Sequence, residues 1–223
     1  MFRPASRRRG RSESTRRVSL RPVVALCLLV LVAPVAALAE QPEAARSAAR
    51  AVIEEFYGEL LSVMRDAENL GFAGRYERLE PAMTGSYNLP AMARASVAAA
   101  WETFGPEDQA AFVAAFTRMS VSTYAARFNG WSGQVFEVDS VADGPRDTLL
   151  VRTRLVKPDG NEVPLDYLMR RYDEGWRIID VLLDGRISEL AKNRSEYGSV
   201  LAREGYDGLM QRIADHIDGL GDS

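Results

Sequence analysis

The 223-residue sequence predicts an α+β fold, helices packed on a four-stranded antiparallel sheet, and three observations predict it. Apolar residues recur every three to four positions from Pro42 to Phe128, the period of amphipathic helices. After Asn129-Gly130 the period changes to two, the alternation of half-buried strands. The candidate strands are joined by turns too short for parallel neighbours, whose crossovers need a dozen residues or more. With 47% apolar and 26% charged residues, the composition excludes a disordered, collagenous or low-complexity chain.

Residues 1–39 carry eight arginines against one acid, Glu13, and pass from an Arg-rich segment into an apolar run over 23–38. The run has about 16 residues, is interrupted by Pro34 and falls short of the roughly 20 that span a bilayer. It ends in Ala37-Leu38-Ala39, a small-x-small site before Glu40, so a cleaved export signal is expected rather than an anchor. Arg16-Arg17 leaves twin-arginine export open beside general secretion. Cys27 lies within the apolar run without the small residue that precedes a lipoprotein cysteine, which argues against lipidation. Residues 40–223 are then expected to be one domain without cysteine, held by its core; at this size about 70% of the unfolded surface is buried. They hold 20 basic and 30 acidic residues, a net charge of −10 that disfavours nucleic acid as a partner.

The first helix is predicted over 42–69, with Ala45, Ala48, Val52, Phe56, Leu60 and Val63 as its apolar stripe. A shorter helix is expected over 72–83. Asn88 offers a side-chain cap and Pro90 suits a first turn, so a third helix should cover 90–104 until Gly105-Pro106 breaks it. Glu107 and Asp108 favour the start of a fourth, in which Phe112, Phe116, Met119, Thr123 and Ala126 share a face leading to Phe128. Strands are predicted over 134–141, 148–157, 163–172 and 176–183. They are separated by Asp143-Gly144-Pro145-Arg146, Pro158-Asp159-Gly160-Asn161 and Glu174-Gly175. Asp184-Gly185 ends the meander, and helices over 187–203 and 206–220, parted by Gly205, close the chain.

Chemistry-bearing residues are few. His216 is the single histidine and reads as exposed on a terminal helix. A Gly-rich phosphate loop, H-E-x-x-H and EF-hand spacing are all missing, so the sequence implies no cofactor and no metal. Asp166 and Asp180 sit among apolar strand residues, where a desolvated carboxyl can serve as a general base with Tyr124, Tyr167 or Tyr172 as oxyanion donor. The plainer expectation turns Asp166 to solvent and pairs Asp180 with Arg177 or Arg194. The aromatic group Tyr124, Phe128, Trp131 and Phe136 suits either the lining of an apolar ligand cavity or a packed hinge between helix and sheet.

Several motifs are recognisable: Asn88-Leu89-Pro90-Ala91-Met92-Ala93, Trp101, Gln109 to Phe116, Ser122-Thr123-Tyr124-Ala125 and Gly175-Trp176-Arg177-Ile178-Ile179-Asp180-Val181. They continue through Asp184-Gly185-Arg186-Ile187-Ser188, Asn193-Arg194-Ser195-Glu196-Tyr197 and Gly205-Tyr206-Asp207-Gly208-Leu209. In this order over residues 45–215 they resemble the MlaC-like (toluene-tolerance) family of periplasmic lipid carriers. Asn129-Gly130-Trp131-Ser132-Gly133, Phe136-Glu137-Val138 and Ile187-Ser188-Glu189-Leu190-Ala191 look most like its hopanoid-biosynthesis-associated HpnM branch. The resemblance implies helices on a four-stranded sheet enclosing a deep apolar pocket. It also implies a periplasmic carrier of phospholipid or hopanoid between an inner-membrane ABC-type or similar transporter and an outer-membrane lipid complex. Under it, Phe116, Tyr124, Phe128, Val151, Leu155, Leu165, Tyr167, Trp176 and Ile178 are the pocket candidates, from face and position. Asp180 and Arg194 are expected to lock the architecture, with Tyr124 open to that role as an alternative to the pocket. Arg186 and Ile187 depart from the phospholipid-carrier pattern, which bears on the headgroup side. Two rival readings are an α+β enzyme using Asp180 and a tyrosine on an apolar small molecule, and a protein that bridges two membrane complexes without holding lipid.

Overall fold

The structure, a computed structural model, describes residues 36–221, with side chains from Pro42 onward. The arginine-rich segment, Cys27 and the apolar run as far as Val35 lie outside the described residues. The expected cleavage site falls within the first turns of helix α1 (Ala36–Arg65).

Helix α1 buries Ala49, Ile53, Phe56, Leu60 and Val63, while Ala48 is exposed, so the buried stripe is one residue out of phase with the expected one over its first two turns. Helix α2 (Ala67–Ser86) starts after Asp66, three residues before the expected end of the first helix. It breaks at Gly71 (φ 60°, ψ −174°), a combination essentially confined to glycine, and residues 72–86 form the predicted second helix. Buried Arg75 ties this helix down, donating Nε to the Ala125 carbonyl at 2.8 Å and Nη1 to that of Ala67 at 3.2 Å.

Helix α3 (Leu89–Val97) begins as its sequence dictates, with the Asn88 Oδ1 accepting from the Ala91 N–H at 2.9 Å and Pro90 in the first turn. It stops short of the expected end. Ala98 takes φ 49° and residues 98–103 wind as a 3-10 turn, because the Gln109 amide donates to the carbonyls of Trp101 and Phe104 and holds that shape. Helix α4 (Pro106–Arg127) runs through the core on Phe112, Phe116, Val121, Tyr124 and Ala125.

Strands β1 (Val135–Asp143), β2 (Thr148–Val156), β3 (Glu162–Tyr172) and β4 (Gly175–Leu183) form the expected antiparallel meander. A fifth strand, β5 (Ile187–Ser188), extends it by two residues paired with Leu183 and Leu182. The predicted alternation holds: Leu149, Val151 and Thr153 on β2, and Leu165, Tyr167 and Met169 on β3, are buried on one face. Charges occupy the other face, where Arg154 meets Glu137, Asp139 and Glu162. The helices therefore cover a single side of the sheet.

One irregularity decides a key residue. Met169 pairs with Ile178 but Leu168 pairs with Asp180, so β4 carries an extra residue at Ile179. Paired residues share a face, so Val181, opposite Tyr167, joins the core and Asp180 turns to the opposite side with Leu168.

Helix α5 (Glu189–Gly221) contains both predicted terminal helices, broken at Gly205 (φ 70°, ψ −168°) into two arms. Its first arm buries Tyr197 and Val200, its second Leu209, Ile213 and Ile217. Tyr206 anchors the start of the second arm, donating to the Asp108 carbonyl at 2.8 Å and packing edge-on against Phe104.

Candidate functional site

A cavity of about 1120 Å³ opens between α4 and the two arms of α5. Its far wall is built from the end of α2, the start of α3 and β4. That wall is pinned to the sheet where Tyr87 bridges to Ile178 and the Asn88 N–H donates to the Ile178 carbonyl at 2.9 Å. The interior is apolar and rich in methionine: Met83, Met92 and Met119 stand with Leu89, Val181, Val200, Leu209 and Ile213. Unbranched thioethers re-pack readily, so such a wall accommodates ligands of varied outline.

The mouth carries both signs of charge. Arg127 and Glu189 form an ion pair across it at 3.3 Å, with Lys192, Glu196, Arg203, Arg212, Asp215 and His216 around them. Arg212 is engaged by Glu204 at 2.8 Å. His216 is exposed, as expected, yet it borders the opening.

At the inner end the chemistry changes. The hydroxyls of Tyr87 and Tyr124, both on the cavity wall, share a hydrogen bond at 2.7 Å. Beside them Tyr57 bonds to Thr153 Oγ1, and Thr153 donates onward to the Leu165 carbonyl. Burial holds the pKa of Tyr57, Tyr87, Tyr124 and Tyr167 well above the ordinary phenol value, so these groups stay neutral.

Of the nine residues put forward from the sequence, Tyr124 lines this cavity. Trp176 borders a second hollow of about 640 Å³ between β4 and the Ala44, Ala45, Ala48 and Val52 face of α1. Phe116, Val151, Leu165, Tyr167 and Ile178 lie buried in the core, with Phe128 and Leu155 half-buried against it. The cavity wall supplied by α2, α3 and α5 carries no such candidate. Its spacing was nevertheless present, since Leu209, Ile213 and His216 share one helical face, as do Lys192, Glu196, Ser199 and Arg203.

The carboxylates take structural places. Asp180 pairs with neither Arg177 nor Arg194. Its oxygens accept from the Val181 N–H at 2.8 Å, the Leu190 N–H at 3.1 Å and the Ser188 hydroxyl at 2.5 Å. Ser188 in turn caps Ala191 at 2.9 Å, so Asp180 fastens the start of α5 to β4. Arg194 donates Nε to the Ala95 carbonyl at 3.0 Å and closes the end of α3. Asp166 lies on the outer face of the sheet as alternation predicts, but it is buried rather than solvated, beneath the Asp184-Gly185 turn. It accepts from the Thr153 N–H at 3.2 Å, and burial pushes its pKa up. Among the described residues no group of three His, Cys, Asp or Glu stands together to hold a metal, and no helix is long and apolar enough to cross a membrane.

Comparison with known proteins adds two matches. The family model described as MlaC protein matches residues 54–215. A solved structure from Ralstonia solanacearum, a phospholipid-binding protein in complex with a phospholipid, superposes with a TM-score of 0.69 at 18% identity. The match covers 77% of this chain and 98% of that one, and shows the same fold. Comparison with curated proteins gives no match.

Proposed function

The chain belongs to the MlaC family, and from that premise we propose that it carries lipid through the periplasm, after export with residues 1–39 removed. The observation that supports this reading most is the cavity of about 1120 Å³, apolar within and charged with both signs at its mouth. It exceeds the roughly 300–1,000 Å³ of ordinary small-molecule pockets. An amphiphile seats its tail in such a space and leaves its head at the rim. The phospholipid in the Ralstonia solanacearum protein of like fold supports the same ligand class.

Energetics favour transfer over storage. Burying an acyl chain gains about 0.8 kcal/mol per CH₂, on the order of 12 kcal/mol for 16 carbons, and a bilayer offers the same gain. Exchange between cavity and membrane is then close to neutral. The protein supplies passage without water contact, and direction comes from its partners, here an inner-membrane ABC-type or similar transporter and an outer-membrane lipid complex. Resemblance to the HpnM branch extends the cargo to hopanoids. Tyr124 is the inner wall of the site in this proposal, and Phe116, Phe128, Val151, Leu155, Leu165, Tyr167 and Ile178 form the packed layer behind it, with Trp176 beside the smaller hollow.

The test is native mass spectrometry on protein purified without detergent from the periplasm of a hopanoid-producing host that expresses the full chain. A stoichiometric lipid adduct is expected on a polypeptide beginning at Glu40, its mass distinguishing phospholipid from hopanoid. Val200→Trp, which fills the cavity from α5, should lose most of that adduct at unchanged circular dichroism. A clean unliganded mass that added lipid cannot shift would overturn the carrier reading in favour of the bridging one.

A further inference from the structure

Among the described residues three large apolar side chains stand exposed, Trp131 at 45%, Val135 at 47% and Ile187 at 54%. A single exposed apolar residue is ordinary on any surface, but these three fall at one end of the molecule. Val135 opens β1 and Ile187 opens β5 beside the end of β4, and the antiparallel order brings those strand ends together. Trp131 lies in the loop that leads from α4 into β1. The same end holds one edge of the cavity mouth. Trp131 follows Arg127 and Ile187 precedes Glu189 by less than one helical turn of chain, and those two charges meet there at 3.3 Å.

The loop holds Trp131 outward. The indole Nε1–H donates to the Gln134 carbonyl at 2.9 Å, and the Gln134 Oε1 accepts from the Ser132 N–H at 2.6 Å. Gly133, at φ 111°, sits against the next turn of the sheet, where a Cβ would stand 3.5 Å from Pro158. Arg65, at the end of α1, lies over the indole at 5.2 Å from its centroid. With its one polar atom paired inside the loop, the exposed part of the ring gains by leaving water.

Spacing and charge restrict what covers this end. Val135 and Ile187 lie on opposite edge strands of a five-stranded sheet, about 19 Å apart at about 4.8 Å per strand. A stable protein interface buries about 800 Å² per side around an apolar centre, and three side chains so far apart do not form one. A layer of lipid headgroups is fluid and fills the ground between them, and tryptophan flanked by cations is the anchor suited to it. Arg65, Lys157 and Arg186 are exposed at this end and make no ion pair among the described residues, while Asp159 and Asp184 occupy the same turns. Both signs suit a zwitterionic surface, and the net charge of −10 over residues 40–223 disfavours an anionic one.

Resting on the carrier reading, we propose that this end is a bilayer-docking surface. Trp131, Val135 and Ile187 enter the headgroup layer of a zwitterionic membrane and set the Arg127–Glu189 edge of the mouth against it. Lipid passes between bilayer and cavity beside that ion pair without crossing water.

The test mixes protein purified from the periplasm with vesicles of a deuterated zwitterionic diacyl phospholipid. Iodide quenching of tryptophan fluorescence reads docking, because Trp131 is exposed whereas Trp101 is half-buried and Trp176 buried. Native mass spectrometry follows the labelled adduct in time. Vesicles should reduce the quenching about threefold, and Trp131→Ala should remove the part that responds to them. In Trp131→Ala and in Ile187→Thr, which keeps a β-branched side chain, the initial rate of labelled uptake should fall about fivefold at unchanged circular dichroism, with the same final adduct. Quenching that vesicles leave unaltered would overturn the proposal. Uptake at the original rate in both variants would also overturn it and leave the exposed side chains to a protein partner. So would protein that holds lipid from its host yet exchanges none with vesicles. Absence of any lipid adduct would defeat the carrier reading, while the iodide measurement, which needs no bound lipid, still decides docking.

Discussion

Asp180 and Asp166 show how far a single residue can be read from sequence. Both stand out as carboxylates within apolar strands, and both are buried. What alternation alone could not supply is the extra residue at Ile179, which turns Asp180 away from the core and onto the start of α5. Asp180→Ala strips two backbone donors and a serine of their acceptor, so it should destabilise the domain by about 1–3 kcal/mol in urea titrations. If Asp180→Asn and Asp180→Ala leave stability unchanged while abolishing a turnover, the enzymatic reading gains what the geometry now denies it. Asp166 behaves oppositely. Its pKa is raised by burial, so the folded state holds the proton more tightly than the unfolded chain does. Its contribution to stability is complete below the ordinary aspartate range and is lost as pH rises through the raised value. Asp166→Asn keeps an acceptor for the Thr153 N–H and removes the ionisable group, so thermal melts should lose that part of the fall in Tm which the unaltered protein shows as pH rises out of the aspartate range.

Among the elements, the four long strands were legible, because each turn carries its own signal and the faces of β2 and β3 follow simple alternation, while the two-residue β5 stands where a helix is expected to begin. Helix ends were legible where the cap is local, as at Asn88. They were illegible where the cause is remote: nothing in the alanine run after Val97 announces a break, and the side chain that holds it belongs to Gln109. The first helix slipped by one residue for a similar reason, since alanines at 45, 48 and 49 give the sheet little to choose between. Gly205 is legible as the stop between two helices, and the structure breaks there. Its φ of 70° with ψ of −168° belongs to a region other residues enter at about 1–3 kcal/mol. Gly205→Ala is therefore expected to lower the unfolding free energy by that amount, and calorimetry would show a reduced Tm. An unchanged Tm would mean that the arms re-orient freely.

At the scale of the molecule, the sheet and its one-sided cover of helices follow from the residue pattern and the apolar pocket from the family resemblance, whereas the side chains that line the pocket were not legible. Pocket wall and solid core obey the same periodicity, and only the bend between the arms of α5 leaves space on one side of α4. The core is also unusual in its phenols. Tyr57, Tyr87, Tyr124, Tyr167 and Tyr197 all hold their protons more tightly folded than unfolded, chiefly because burial excludes the phenolate. Their contribution to stability is complete below pH 10 and is lost above it, as the unfolded chain begins to ionise. Alkaline titration followed by tyrosinate absorbance should thus show these five groups ionising together, in the same step in which circular dichroism collapses. Gradual ionisation in a chain that keeps its ellipticity would mean that the cluster is open to water.

The bend at Gly205 also sets a gear ratio. The second arm, Tyr206–Gly221, is about 24 Å long at 1.5 Å per residue. A swing of about 10° about its pivot displaces Leu209 by about 1 Å, His216 by about 3 Å and the far end by about 4 Å. Leu209, nearest the pivot, therefore moves about a third as far as His216, so such a swing would widen the far end of the cavity more than the part beside Gly205.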